Sequence, residues 1–191
     1  MFDIKPIGPK MKKIAFLGGA AWKDGDLPYD GAYETAKLLA EHDFEVYNGG
    51  GPGVMRASTL GAKAAGGKVV AITYHPNKIK RHYEGTDPNN PFDHEIVTLD
   101  YFDRTKVMLE TTDAHIVFNG SIGTLSELGM TWVSSWIHFP NSKPIILFGS
   151  FWQEYIDLVK NNMLLDKGEE TMMEICESPQ DVLKYLQGFN E

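Results

Sequence analysis

The stretch Asn119-Gly120-Ser121-Ile122-Gly123-Thr124-Leu125-Ser126-Glu127 links an apolar run, Ala114-His115-Ile116-Val117-Phe118, to a helical pattern that continues through Trp136. A strand, a glycine turn and a helix in that order leave backbone N–H groups pointing outward at the helix N-terminus, where the helix dipole favours an anion. Ser121 and Thr124 add two hydroxyl donors to those amides. A phosphate suits such a turn. Glu127, one turn inside the helix, would then work on whatever the phosphate anchors.

A second turn, Gly49-Gly50-Gly51-Pro52-Gly53, leads directly into a helix opening at Val54-Met55. Glycines let the backbone approach a ligand closely, so the turn reads either as a phosphate cradle or as a tight strand-to-helix connection. It lacks the Gly-Lys-Ser/Thr of a P-loop and is not a clean Gly-x-Gly-x-x-Gly, which argues against a kinase and weakens NAD binding. Two such turns in one small chain point to a nucleotide or sugar phosphate.

Two charged residues carry the remaining chemistry, and spacing alone leaves each with two roles. Thr124-Leu125-Ser126-Glu127 has the spacing of a capping box, in which the threonine caps the helix and the glutamate reaches back to it. Alternatively, Glu127 faces the ligand, accepting a proton or stabilising a cation, such as the oxocarbenium-like transition state of glycosidic-bond cleavage. Arg104, in Asp103-Arg104-Thr105-Lys106, is either a solvated helix start paired with Asp103 or a cation placed for an anionic partner, because a helix N-terminus disfavours positive charge. His115 reads as a core residue and His138 as a surface one. Met130, Trp132, Val133 and Trp136 read as a packing or subunit-contact face. There is no nucleophile-elbow sequence.

The elements that must position these residues alternate. Ile14-Ala15-Phe16-Leu17 is a buried-strand pattern ending at Gly18-Gly19. A helix is expected from about Tyr29 to His42, then a strand over Phe44–Tyr47, the second glycine turn, and an alanine-rich helix closing at Gly66-Gly67. Strands follow over Lys68–Tyr74 and His94–Leu99, separated by a long connection over residues 75–94 that is expected to be functional or mobile. A helix from about Tyr101 to Thr112 carries Arg104. After the first-named turn come a strand over Lys143–Phe148, an amphipathic helix over Phe151–Asn162, a short edge strand over Met172–Cys176 and a helix opened by Pro179. The alternation predicts a three-layer, doubly wound α/β fold: a mostly parallel, Rossmann-like sheet of about seven strands. In such sheets ligands bind at the strands' carboxyl ends, where the turns after strands one, two and five all lie.

With 191 residues the chain suffices for one domain, over residues 1–191, with residues 1–12 a loose lead-in. A net charge of −8 with no basic stripe (Lys78-Ile79-Lys80-Arg81 is short and isolated) is no nucleic-acid footprint. The single Cys176 rules out an intrachain disulfide framework and agrees with a cytoplasmic setting. No metal-type Cys/His spacing, signal-peptide core or membrane-length apolar run is present.

Taken together, the two turns and Arg104 resemble the LOG ("lonely guy") family, also labelled lysine decarboxylase-like. Its signatures, Gly-Gly-Gly-x-x-Gly-x-Met and Pro-Gly-Gly-x-Gly-Thr-x-x-Glu, stand here as Asn48–Met55 and Asn119–Glu127, and its arginine precedes Asp113-Ala114 by nine residues, as Arg104 does. The likeness covers nearly the whole chain, including residues 61–67 and 143–147. It implies a homodimeric phosphoribohydrolase cleaving the N-glycosidic bond of nucleoside 5′-monophosphates such as cytokinin ribotides or AMP, with no cofactor. Arg104 and Glu127 would be the catalytic pair. Gly18, Gly49, Gly50, Gly51, Gly53, Met55, Asn119, Gly120, Ser121, Ile122, Gly123 and Thr124 would hold the phosphate and nucleotide. The chain departs from the pattern at Asn119 (proline in the family), Ser121 (glycine), Thr105 (lysine), Gly19 (serine) and Ala21 (arginine). Those departures motivate an alternative, a non-catalytic nucleotide- or cofactor-binding sensor or carrier. A third reading is a structural dimer in which Glu127 only caps its helix.

Overall fold

A computed structural model describes residues 11–75 and 86–190. Seven strands, β1 (Lys13–Leu17), β2 (Glu45–Asn48), β3 (Val69–Tyr74), β4 (His94–Thr98), β5 (Ala114–Val117), β6 (Ile145–Phe148) and β7 (Met173–Cys176), form one sheet in the order β4-β3-β2-β1-β5-β6-β7. Every pairing is parallel, with Ile14 of β1 opposite both Val46 of β2 and Ala114 of β5. The helices are α1 (Leu27–Glu41), α2 (Val54–Ala64), α3 (Tyr101–Thr111), α4 (Ile122–Ile137), α5 (Trp152–Asn162) and α6 (Pro179–Gly188). This is the three-layer Rossmann-like architecture that the alternation predicts. No helix among the described residues is long and apolar enough to cross a membrane.

Parallel strands covered on both faces must be apolar on both, which is why β1, β3, β5 and β6 read as largely hydrophobic runs. Ile14 and Phe16 of β1 face a core shared with Ala36 and Leu39 of α1, Val54 and Ala57 of α2, and Val182 and Leu186 of α6. Ala15 and Leu17 face the opposite core, built with Met108 of α3, Leu128 of α4, and Trp152 and Ile156 of α5. Phe16 and Phe118 stack with ring centroids 5.8 Å apart, both fully buried. At about 1.5–3 kcal/mol for each such side chain, they anchor the carboxyl ends of β1 and β5. α1 and α2 lie backbone to backbone: a Cβ on Gly61 would sit 2.0 Å from the Tyr33 carbonyl oxygen.

The chain builds β1 to β4 outward in one direction, then crosses back to lay β5 on the other side of β1. The connections after β1 and β5 therefore diverge and leave a crevice at their carboxyl ends, the switch point where ligands bind in this class of sheet. α1 begins at Leu27, two residues before the expected Tyr29, because Pro28 fits the first turn of a helix rather than the loop before it. A 3-10 turn, Glu169–Met172, precedes β7 and has no counterpart in the sequence reading. β7 is an edge strand, as expected, and β4 is the opposite edge. Lys78-Ile79-Lys80-Arg81, half of the 75–94 connection and most of the 1–12 lead-in lie outside the described residues.

Candidate functional site

Three turns meet at the crevice through backbone hydrogen bonds. The Gly19 N–H donates to the Asn119 carbonyl (3.0 Å), and the Val54 N–H, first in α2, donates to the Gly19 carbonyl (3.0 Å). The turn after β1 is thus held between the other two. Gly53 adopts φ +64°, and a Cβ there would lie 2.3 Å from the Gly19 oxygen, so this position requires glycine on both counts. Buried Asn48 secures the same turn: its Oδ1 accepts from the Gly50 N–H (2.9 Å) and its Nδ2 donates to Thr59 Oγ1 (2.9 Å) on α2. The Gly50 and Gly51 carbonyls are taken up by the Asp87 N–H and by Asn90 Nδ2, both at 2.9 Å.

Arg104 and Glu127 form the floor. Nη2 of Arg104 donates to Oε1 of Glu127 at 2.7 Å, and the side chains are only 12% and 11% exposed. Tyr101 and Tyr74 flank the guanidinium, with ring centroids 5.2 and 5.6 Å from its Cζ, close enough for cation–π attraction. Tyr101 in turn donates its hydroxyl to the Gly123 carbonyl (3.1 Å), tying α3 to the first turn of α4. Burial pushes the Glu127 carboxyl above its ordinary range, and the Arg104 charge and hydrogen bond pull it part of the way back. A buried carboxylate with a raised pKa and one cation beside it is suited to proton transfer or to facing a developing positive charge.

The capping-box spacing at Thr124–Glu127 is not used as a cap. α4 starts at Ile122 with Ser121 as its N-cap, which places Thr124 inside the first turn and Glu127 beyond it. The Glu127 side chain reaches across to α3, and its carbonyl accepts from Thr131 Oγ1 (2.7 Å). The reading of Glu127 as a cap, and of a dimer whose glutamate only caps, is therefore corrected. Asp103 likewise does not pair with Arg104: it accepts from the Leu99 N–H (3.0 Å), while Asp100 caps α3 through the Phe102 and Asp103 amides.

A cleft of about 170 Å³ opens above the ion pair. Of the residues singled out from sequence, Gly18, Gly49, Met55, Arg104, Ser121, Gly123, Thr124 and Glu127 line it. Gly50, Gly51, Gly53 and Gly120 shape the turns behind it; a Cβ on Gly120 would collide with Thr124 Oγ1 at 2.0 Å. Asn119 lines a separate cavity, and Ile122 points outward at 81% exposure. Tyr74, Tyr101 and Asn48 were missed. Tyr101 lies three residues before Arg104 on one helix and so shares its face, a signal the sequence did carry. Tyr74 and Asn48 end strands β3 and β2, where side chains border the crevice. His115, 1% exposed, is a core residue, and burial lowers its pKa to about 3, which keeps it neutral. His138 is exposed.

A model of the SLOG cluster4 family matches residues 11–183, from before β1 into α6. The chain belongs to the SLOG cluster4 family. This SLOG chain is 31% identical over 145 residues to the cytokinin riboside 5′-monophosphate phosphoribohydrolase of Mycobacterium tuberculosis, an alignment covering 73% of this chain and 74% of the relative. Its fold is shared with the molybdenum cofactor binding protein of Rippkaea orientalis (TM-score 0.68, 24% identity, 95% of this chain and 98% of that one). It is shared as well with the Moco carrier protein of Chlamydomonas reinhardtii (TM-score 0.65, 17% identity, 94% and 97%). The LOG-like resemblance read from the two glycine turns is thus a true family relation.

Proposed function

We propose that this SLOG protein hydrolyses the N-glycosidic bond of a nucleoside 5′-monophosphate, a cytokinin ribotide or an AMP-like nucleotide, releasing free base and ribose 5-phosphate. The buried Arg104–Glu127 pair beneath two glycine turns carries this reading. The 5′-phosphate sits against the amides and hydroxyls at the starts of α2 and α4, which favour an anion. The C1′–N bond breaks with its electron pair leaving on the base, which takes a proton. Water adds to C1′, and its proton passes to Glu127 and on to solvent. Ionised Glu127 offsets the positive charge that builds on the ribose, and Arg104 keeps it ionised and orients the nucleotide. The cleft, at about 170 Å³, is smaller than the roughly 300–1,000 Å³ of a site enclosing a drug-sized ligand, so it takes the phosphosugar end and leaves the base outside. Incubation with AMP and with isopentenyladenosine 5′-monophosphate, followed by chromatography, is expected to yield free base; no release above a Glu127→Gln control would overturn the reading.

A second reading is a carrier or sensor that binds a phosphorylated ligand without turnover. It is favoured by Asn119 and Ser121, which stand where the LOG-family turn has proline and glycine, and by the fold shared with a molybdenum cofactor binding protein and a Moco carrier protein. Calorimetry with the same nucleotides beside the chromatographic assay separates the two, because a carrier binds and releases nothing.

We also infer a homodimer through α4. Ile122, Leu125, Val133 and Ile137 form a stripe along that helix and are 81, 37, 52 and 69% exposed, an apolar row that water disfavours. Light scattering is expected to give twice the 21.4 kDa chain mass, falling to one chain in Val133→Asp/Ile137→Asp. A wild-type monomer would exclude it.

A further inference from the structure

A second, larger cavity of about 770 Å³ is lined in part by Trp22 and Asn119, each two residues in sequence from Ala20 and Ser121 of the cleft. The two residues are tied together, since Trp22 Nε1 donates to the Asn119 carbonyl at 2.8 Å. Nothing in the proposed hydrolysis uses this cavity, yet its volume falls within the range of about 300–1,000 Å³ typical of small-molecule sites. Leu27 and Pro28 of α1, Phe148 at the end of β6, and Phe151 and Pro179 at the starts of α5 and α6 give it an apolar lining. Gly31 on α1 makes room for this arrangement: a Cβ there would meet the Phe148 ring at 2.6 Å.

The charge around it has one sign. Asp26, Asp30, Glu34 and Glu177 line the cavity, and among the described residues no lysine, arginine or histidine does. The first turns of α1, α5 and α6 also border it. Each helix start is equivalent to roughly half a positive charge, so three of them offset less than half of the four carboxylates. Part of that acidity serves the backbone, since Asp26 accepts from the Lys23 N–H (2.8 Å) and Asp30 from the Gly25 N–H (3.0 Å). A carboxylate keeps its charge while accepting such bonds. A phosphate or carboxylate ligand is repelled here, in contrast to the cleft above the ion pair. An apolar body bearing an ammonium group matches both the lining and the rim.

We propose that this cavity is a binding site for a small organic cation, an amine on an aromatic or alkyl body. Three probes of one shape test it by calorimetry on the intact chain: 4-phenylbutylamine, 4-phenylbutan-1-ol and 4-phenylbutyrate. The amine is expected to bind about tenfold more tightly than the alcohol, a difference of about 1.4 kcal/mol, and added salt is expected to narrow that gap. The butyrate is expected to bind more weakly than either. In Glu34→Gln/Glu177→Gln the amine's advantage is expected to shrink several-fold, while affinity for ribose 5-phosphate in the cleft stays unchanged. Equal binding of amine and alcohol, an advantage untouched by the double substitution, or no amine binding at millimolar concentration overturns the proposal. None of these outcomes bears on the hydrolase reading, which the nucleotide assay decides by itself.

Discussion

Glu127→Gln is expected to slow base release from a nucleoside 5′-monophosphate by about 10²- to 10⁴-fold, the span over which a positioned acid–base or charge-stabilising group contributes. Glutamine has the same shape and retains an oxygen to accept from Arg104 Nη2, now 2.7 Å from Glu127 Oε1. It has no negative charge to set against an oxocarbenium-like ribose and cannot take up a proton from water. The loss should therefore fall on kcat, with the dissociation constant for ribose 5-phosphate within a few-fold of wild type, because in the proposed binding mode the phosphate would rest on backbone amides and on Ser121 and Thr124. A substitution that removes only transition-state interaction behaves this way. A variant that loses binding in proportion to rate would mean that Glu127 holds the ligand rather than acts on it. An unchanged rate would remove it from the chemistry.

Arg104→Ala is expected to destabilise the fold by about 3–5 kcal/mol near pH 8, the usual cost of removing one partner from a buried pair. For a chain of 191 residues, at about 2–4 °C per kcal/mol, the melting temperature should fall by about 6–20 °C. The cause is that Glu127 is left buried without its cation, so its pKa rises further above the ordinary carboxylate value. The sign of the pH dependence follows. Between the ordinary value and the raised one, the folded state binds a proton that the unfolded state lacks, so stability falls as pH rises through that interval and recovers as pH drops. The variant's deficit should be markedly smaller at pH 5 than at pH 8, measured by denaturant titration at both. A deficit independent of pH would show that the arginine contributes packing against Tyr74 and Tyr101 rather than charge.

The order of elements was legible in the residues because parallel strands and amphipathic helices leave different hydrophobic periods. Val69–Tyr74 and Ile145–Phe148 read as strands for the same reason that they are buried on both faces. Helix starts were less secure. A proline suits either a loop or a first turn, so Pro28 does not by itself mark where α1 opens. The 3-10 turn at Glu169–Met172 left no periodic trace because it is only four residues long. At the site, the two turns were visible as glycine clusters, whereas Tyr74 and Asn48 were not, since a tyrosine or an asparagine at a strand end looks like any other.

By itself the sequence determined the layered parallel architecture, the three turns at the carboxyl ends of β1, β2 and β5, and the candidacy of Arg104 and Glu127. Each of these rests on local pattern: hydrophobic period, glycine clustering, or a charged residue at a helix start. What it left open was the role of Glu127, since Thr-x-x-Glu is equally the spacing of a cap and of a residue turned towards a ligand. Only the tertiary structure decided that. By starting α4 at Ile122 and packing α3 beside it, the fold puts the Glu127 carboxylate 2.7 Å from an arginine 23 residues away. That contact, the tyrosines around it and the acidic cavity beside Trp22 all join parts of the chain that are distant in sequence. Local propensity carries no information about such contacts, because they exist only once the crossover has laid β5 against β1.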